Sequence, residues 1–82
     1  SAAAQADPLA GLLVSYLVSL YAKGSRFAAD CLPEFYETYA DAVVAGGLEC
    51  LRVKAIPPED RVPTIDWAHR FTIRKVRGPP SP

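Results

Sequence analysis

Few residues of this chain have side chains that could do chemistry, and they do not form a known catalytic pattern. The only histidine, His69, lies three residues after Asp66, among basic residues and without a specified nucleophile beside it. Pairs of this kind are frequent by chance, and the chain has no glycine-rich phosphate loop or nucleophile elbow. The sequence therefore predicts a protein that is not an enzyme.

The two cysteines give no sign of a metal centre or a disulfide framework. A structural zinc site needs four ligands. The chain could provide only Cys31, Cys50 and His69, and it has no CxxC or CxxH spacing. A helix over residues 33–46 would hold the two sulfur atoms too far apart for a bridge. We expect two free, buried thiols and no metal or cofactor.

Charge is balanced overall but unevenly distributed. Nine basic residues match nine acidic ones, which excludes a disordered tail and a general nucleic-acid-binding protein. Four acidic residues stand at helical spacing: Asp30, Glu34, Glu37 and Asp41. They predict a solvated helix face, because in a helix they would span about 16 Å and could not converge on one cation. The run from His69 to Arg77 contains Arg70, Arg74 and Lys75 but no acid, so it could contact phosphates of lipid or nucleic acid. It lacks a recognition helix or RNA-binding motif, and nucleic-acid binding is not favoured.

The uncharged stretch from Pro8 to Ala22 is the dominant structural signal. Read as a helix over 8–23, it places Gly11, Ser15 and Ser19 in one column and large apolar residues, including Leu17, on most of the remaining circumference. Such a column allows close packing against another helix. At about 22 Å the helix is too short to span a hydrocarbon layer of about 30 Å alone. The pattern predicts a helix that packs against partner helices.

The first helix is predicted to end at Gly24 in a left-handed cap. A second helix is predicted over 33–46, with Val43 and Val44 on its apolar side and with Gly46 and Gly47 as its stop. The C-terminal third is predicted to be extended, with a short β-hairpin between 50–56 and 69–76 as an alternative. Trp67 and Phe71 either anchor this region in a partner's pocket or cover the second helix.

Together these features predict a mainly α fold: a leader over 1–7, a helical hairpin over 8–47, and an extended or hairpin region with a proline-rich tail over 48–82. The predicted function is that of a non-catalytic accessory subunit of a larger, membrane-associated assembly, with other protein subunits and lipid as contacts. An organellar, mitochondrial membrane complex is favoured, and no small-molecule substrate is evident. The predicted partner-binding residues are Gly11, Ser15, Ser19, Leu17, Trp67, Phe71, Arg70, Arg74 and Lys75.

The main alternative is a free-standing soluble binding domain. In that interpretation the protein dimerises through its first helix and recognises a peptide or nucleic acid through its C-terminal basic region.

Overall fold

A computed structural model of the chain describes residues 13–78. Within that range one helix packs on a three-stranded antiparallel sheet. The elements are β1 (Val14–Ala22), β2 (Asp30–Tyr36), α1 (Tyr39–Ala55), a 3₁₀ turn (Pro58–Asp60) and β3 (Ala68–Arg77), with strand order β2-β1-β3. The fold is therefore a small α+β fold, and the predicted mainly α helical hairpin is wrong.

The first predicted helix is replaced by the central strand of the sheet. Residues 8–12 lie outside the described residues, and residues 14–22 form β1. A strand in the middle of a sheet can be apolar on both faces, so an uncharged run does not distinguish it from a buried helix. β-Branched and aromatic residues such as Val14, Tyr16 and Val18 favour the strand. Val18 and Leu20 are buried by the chain's own atoms, whereas Leu13 and Val14 are 49% and 36% exposed, so the described residues cover only part of this segment.

The turn after β1 uses the glycine that the sequence assigned to a helix end. Gly24 has the left-handed φ of 78°, which glycine adopts without steric cost. It stands between β1 and β2, where the Ser25 amide donates to the Ala22 carbonyl at 3.1 Å.

β2 is an edge strand that accommodates a proline. Leu17 faces Phe35 and Ser19 faces Cys31, so three residues of β2 oppose one residue of β1 at this irregularity. Pro33 lies among those three residues and has no amide hydrogen for a sheet bond. Proline is tolerated at edges and bulges for that reason, and it does not start a helix here.

The observed helix lies further along the chain than predicted. Thr38 caps α1 by accepting a hydrogen bond from the Asp41 amide at 3.0 Å, and Arg52 and Lys54 in the last turn complement the helix dipole. α1 begins six residues after the predicted start at 33 and continues nine residues past the predicted end at 46. The predicted strand over 50–56 is consequently wrong, since residues 50–55 are helical. Residues 69–76 lie within β3, which pairs with β1.

Gly46 is a packing position and not a helix stop. It is buried in the middle of α1, and Phe71 of β3 lies directly against it. Phe71 is opposite Leu20 in the sheet, so both residues belong to the face that the helix covers. The buried core consists of small to medium side chains: Val18, Leu20, Ala42, Val53 and Ala68.

The two adjacent glycines provide a matched test of this contact. A Cβ atom at Gly46 would lie 2.6 Å from Cγ and 2.8 Å from Cε2 of Phe71, whereas one at Gly47 would meet nothing within 4 Å. Both alanine substitutions gain about 1 kcal/mol in helix propensity, but only Gly46→Ala overpacks the core, at a cost of about 1–3 kcal/mol. We expect Gly46→Ala to be less stable than Gly47→Ala by that overpacking cost in urea unfolding. Equal stabilities would contradict the close contact between helix and sheet.

Candidate functional site

The outer face of α1 is apolar along the centre of its exposed side. Val44, Leu48 and Leu51 are 59%, 63% and 61% exposed, and their spacings of four and three residues place them in one stripe. Ala42, Gly46 and Val53 occupy the opposite, buried side. We call the stripe formed by Val44, Leu48 and Leu51 the outer face of α1.

This arrangement leaves α1 apolar on two opposite sides. Helices with apolar residues all round are normally buried, whereas here the described residues cover only one side. Moving a leucine-sized side chain from full exposure to full burial contributes about 1.5–3 kcal/mol. Covering the outer face of α1 would therefore supply appreciable binding free energy.

A network of charged groups ties the connection after α1 back onto the helix. Arg52 donates to Asp66 Oδ1 at 2.7 Å, to Glu49 Oε1 at 2.6 Å and to the Ile65 carbonyl at 3.0 Å. The second Asp66 oxygen, Oδ2, accepts from the Val62 amide at 2.9 Å. The Val62 amide and the Arg52 guanidinium together hold the pKa of Asp66 below its usual range. Both contacts therefore favour the ionised form of this carboxylate, which is nearly buried.

Arg61 satisfies the C-terminal end of α1. Its Nε donates to the carbonyl oxygens of Val53 at 3.1 Å and Ile56 at 2.9 Å. Val53 lies in the last turn, where its carbonyl also accepts from the amide of the C-cap residue Ile56 at 3.1 Å, so Arg61 adds a second donor there and a first one at the Ile56 carbonyl. Together with the Arg52 network, this contact fixes the connection that carries Trp67.

Trp67 lines two cavities of different charge. A cavity of about 450 Å³ on one side is lined by basic residues that include Lys23, Lys54 and Arg61. A smaller cavity of about 250 Å³ on the other side includes Asp30 and Glu49 in its lining. Trp67 lines both cavities and packs against the core. Trp67 thus packs against a core that includes Ala42 and Val53 of α1, and its anchoring in a partner's pocket stays a prediction.

Several predicted partner-binding residues lie together on the sheet face turned away from α1. Ser15, Leu17 and Ser19 alternate with the core residues of β1 and therefore share that face. Arg74 is opposite Leu17 on β3. Arg70 also lies on this face, with its guanidinium carbon 3.9 Å from the centre of the Tyr21 ring. The spacing of Ser15 and Ser19 keeps them on one face in a strand as in a helix, but Leu17 joins them only in the strand.

The other predicted residues lie elsewhere. Phe71 faces α1 at Gly46, and Lys75 is opposite Tyr16 on the same side of the sheet. Strand alternation therefore divides the basic run between two faces, and it does not form one continuous track for phosphates. Gly11 lies outside the described residues.

The outer face of α1, Arg52 and Arg61 were not identified from the sequence. Two apolar stripes are present in residues 39–55, but reading Gly46 and Gly47 as a stop divides them. No local pattern links Arg52 to Asp66, which are fourteen positions apart.

Both cysteines are unbridged, but they differ in environment. Cys31 is exposed on β2, whereas Cys50, a residue of α1, is partly covered and packs against the core, so the expectation of two buried thiols is wrong for Cys31. Burial, followed by the nearby Glu49 carboxylate, raises the pKa of the Cys50 thiol.

Other comparisons give no further direction. In residues 13–78 no helix combines the length and apolar character needed to cross a membrane, and those residues contain no group of three or more metal-ligating side chains. Comparison with known protein families, curated proteins and solved structures finds no match.

The Asp66 network predicts a specific acid sensitivity. Because the pKa of Asp66 is lowered by folding, its ionised form contributes stability that is fully present above about pH 4, the ordinary aspartate value. That stability is lost as pH falls through the lowered pKa of the folded state. We expect Asp66→Asn to be less stable than the wild type at neutral pH, with the difference shrinking in acid. Urea unfolding at a series of pH values, with Asp60→Asn as control, measures it; a pH-independent difference would contradict the network.

The two thiols should react at different rates. Cys31 is exposed, while the raised pKa of Cys50 reduces its thiolate fraction near neutral pH. We expect iodoacetamide to modify Cys31 first, as followed by mass spectrometry of the two peptides over time. Equal rates in the folded protein would show that α1 does not protect Cys50, and unfolding in urea should remove the difference.

Proposed function

We propose that this chain is a non-catalytic accessory subunit that binds a larger protein by inserting the outer face of α1 into an apolar groove. The observation that carries the proposal is the exposed stripe of Val44, Leu48 and Leu51 on a helix whose other side is already buried. These three side chains form one contiguous stripe and are not scattered singly over the surface, which supports an interaction site.

The size of the stripe favours a groove in a larger partner over a second copy of the chain. α1 is about 25 Å long and about 10 Å across, so one face presents about 250 Å². A stable interface buries about 800 Å² on each partner. Two copies joined only along this stripe would fall well short, whereas a groove also contacts the flanks of the helix.

The contact surface differs from the one that the sequence predicted. The expected anchor, the first helix, is β1 over its described part, and its core side chains are covered by the chain itself. The accessory role is therefore proposed on α1. Membrane association and the organellar location remain predictions from the sequence.

The alternative of recognition through the basic run lacks a continuous surface. Arg70 and Arg74 face away from α1, while Lys75 is on the side of the helix. Arg70 is also engaged by Tyr21 and by the Ser25 carbonyl, to which it donates at 3.1 Å. Dimerisation through the first helix has no structural basis in residues 14–22.

A pair of glutamate substitutions tests the proposed contact. Leu48→Glu places a charge in the middle of the outer face of α1, and Phe27→Glu places the same charge on the turn after β1, where Phe27 is 80% exposed. Both positions are exposed, so we expect each variant to keep its stability within about 0.5 kcal/mol. In a chain that carries a photoreactive residue at position 44 and is otherwise wild type, a stoichiometric partner should crosslink to that residue. Leu48→Glu should abolish the binding of this partner, while Phe27→Glu should not.

Two outcomes would contradict the proposal. One is a partner whose retention is insensitive to Leu48→Glu. The other is a dimer of the isolated chain at low micromolar concentration in light scattering, lost in Leu48→Glu, because the stripe would then be covered by a second copy.

A further inference from the structure

The cavity beside Trp67 has an unusual concentration of positive charge. Its volume of about 450 Å³ falls in the range of small-molecule sites. Three basic residues line it from separate segments: Lys23 from the turn after β1, Lys54 from the last turn of α1, and Arg61 from the connection to β3. His69 also lines it. The fold thus brings together basic groups that are far apart in the sequence.

One carboxylate of the described residues offsets part of this charge. Asp66 lines the cavity and attracts Arg61 electrostatically, but its two oxygens are bonded to Arg52 and to the Val62 amide. Within residues 13–78 the ion pairs are those of Arg52 with Glu49 and Asp66. The negative end of α1 supplies only about half a charge. The basic side chains therefore outnumber the negative charges of the lining, and convergence of like charges opposes folding, so the site is suited to an anion.

The groups available for that anion can be named. Lys23 and Lys54 each carry an ammonium group, and Arg61 uses its Nε on the helix end while its two terminal nitrogens extend beyond that contact. A phosphate monoester carries a charge of about −1.5 to −2 at neutral pH, which matches three cations better than a single carboxylate does. Beside these groups the Trp67 indole provides a flat apolar surface on which a ring can stack.

From this combination we propose that the cavity beside Trp67 binds a small organic phosphate with a planar ring, of about mononucleotide size. The phosphate lies among Lys23, Lys54 and Arg61, and the ring lies against Trp67. The cavity adjoins the outer face of α1 at Leu51, which lines it, whereas Leu48 does not.

Trp67 is the only tryptophan of the chain, so its fluorescence reports directly on the cavity. The probes are adenosine 5′-monophosphate, adenosine and inorganic phosphate, titrated at constant ionic strength with sodium chloride. We expect a saturable change in Trp67 emission with the monophosphate, a weaker response or none with adenosine, and competition by inorganic phosphate. Absence of a saturable response to the monophosphate at millimolar concentration would overturn the proposal, as would an equal affinity for adenosine.

Charge-neutralising variants locate the site. Lys54→Gln and Lys23→Gln should each weaken binding of the monophosphate by about tenfold or more, since a charge-assisted hydrogen bond is lost. Lys75→Gln removes the same charge on β3 outside the cavity and should leave the affinity unchanged. Equal weakening by Lys75→Gln and Lys54→Gln would overturn the proposal by showing nonspecific attraction. Thermal unfolding by circular dichroism confirms that each variant compared is folded.

Discussion

The contact between the Phe71 ring and α1 at Gly46 sets the separation of helix and sheet. A side chain at position 46 would meet the ring, so the helix can lie this close to β3 only because that position has no Cβ. The approach determines which side of α1 is buried: Ala42 and Val53 turn inward with Gly46. The stripe of Val44, Leu48 and Leu51 is directed outward as a consequence of the same contact.

The core that results is thin, and this explains the weight carried by polar contacts around α1. Val18, Leu20, Ala42, Val53 and Ala68 are modest in volume, and a chain of this size buries only about 60–65% of the surface exposed on unfolding. In the long connection between α1 and β3, Val62 and Ile65 remain 47% and 60% exposed, so its apolar side chains contribute little burial. Arg52 and Arg61 hold it instead, through the Asp66 carboxylate and the carbonyl groups at the helix end.

The sequence predicted the positions of some turns and of one strand better than it predicted the elements between them. Gly24 was assigned a left-handed conformation from its type and neighbours, and it has one, because that property is local. Whether residues 14–22 form a helix or a strand depends on pairing with both β2 and β3, which is not local. The uncharged run fits either state, and only its β-branched and aromatic content favoured the strand.

A comparable limit applied to the candidate site. Gly46 and Gly47 resemble a helix stop, but the first is required by Phe71, twenty-five positions later in the chain, and the second lies within the continuing helix. With the helix divided there, Val44 was assigned to an inward side and Leu51 to a strand. Their common exposure became visible only in three dimensions. The importance of Trp67 was identified from its residue type, but its place in the lining of two cavities was not.

The different charges of the two cavities that Trp67 lines follow from which residues lie at the C-terminal end of α1. The helix C-terminus attracts cations, and Lys54 and Arg61 gather there; the sheet hairpin brings Lys23 to the same place. Glu49, one turn earlier on α1, lies on the other side with Asp30 of β2. Arg52 bridges Glu49, which lines the acidic cavity, to Asp66, which lines the basic one. Since Leu51 contributes both to the outer face of α1 and to the lining of the basic cavity, the last turns of this helix are where the outer face of α1 and the basic cavity adjoin.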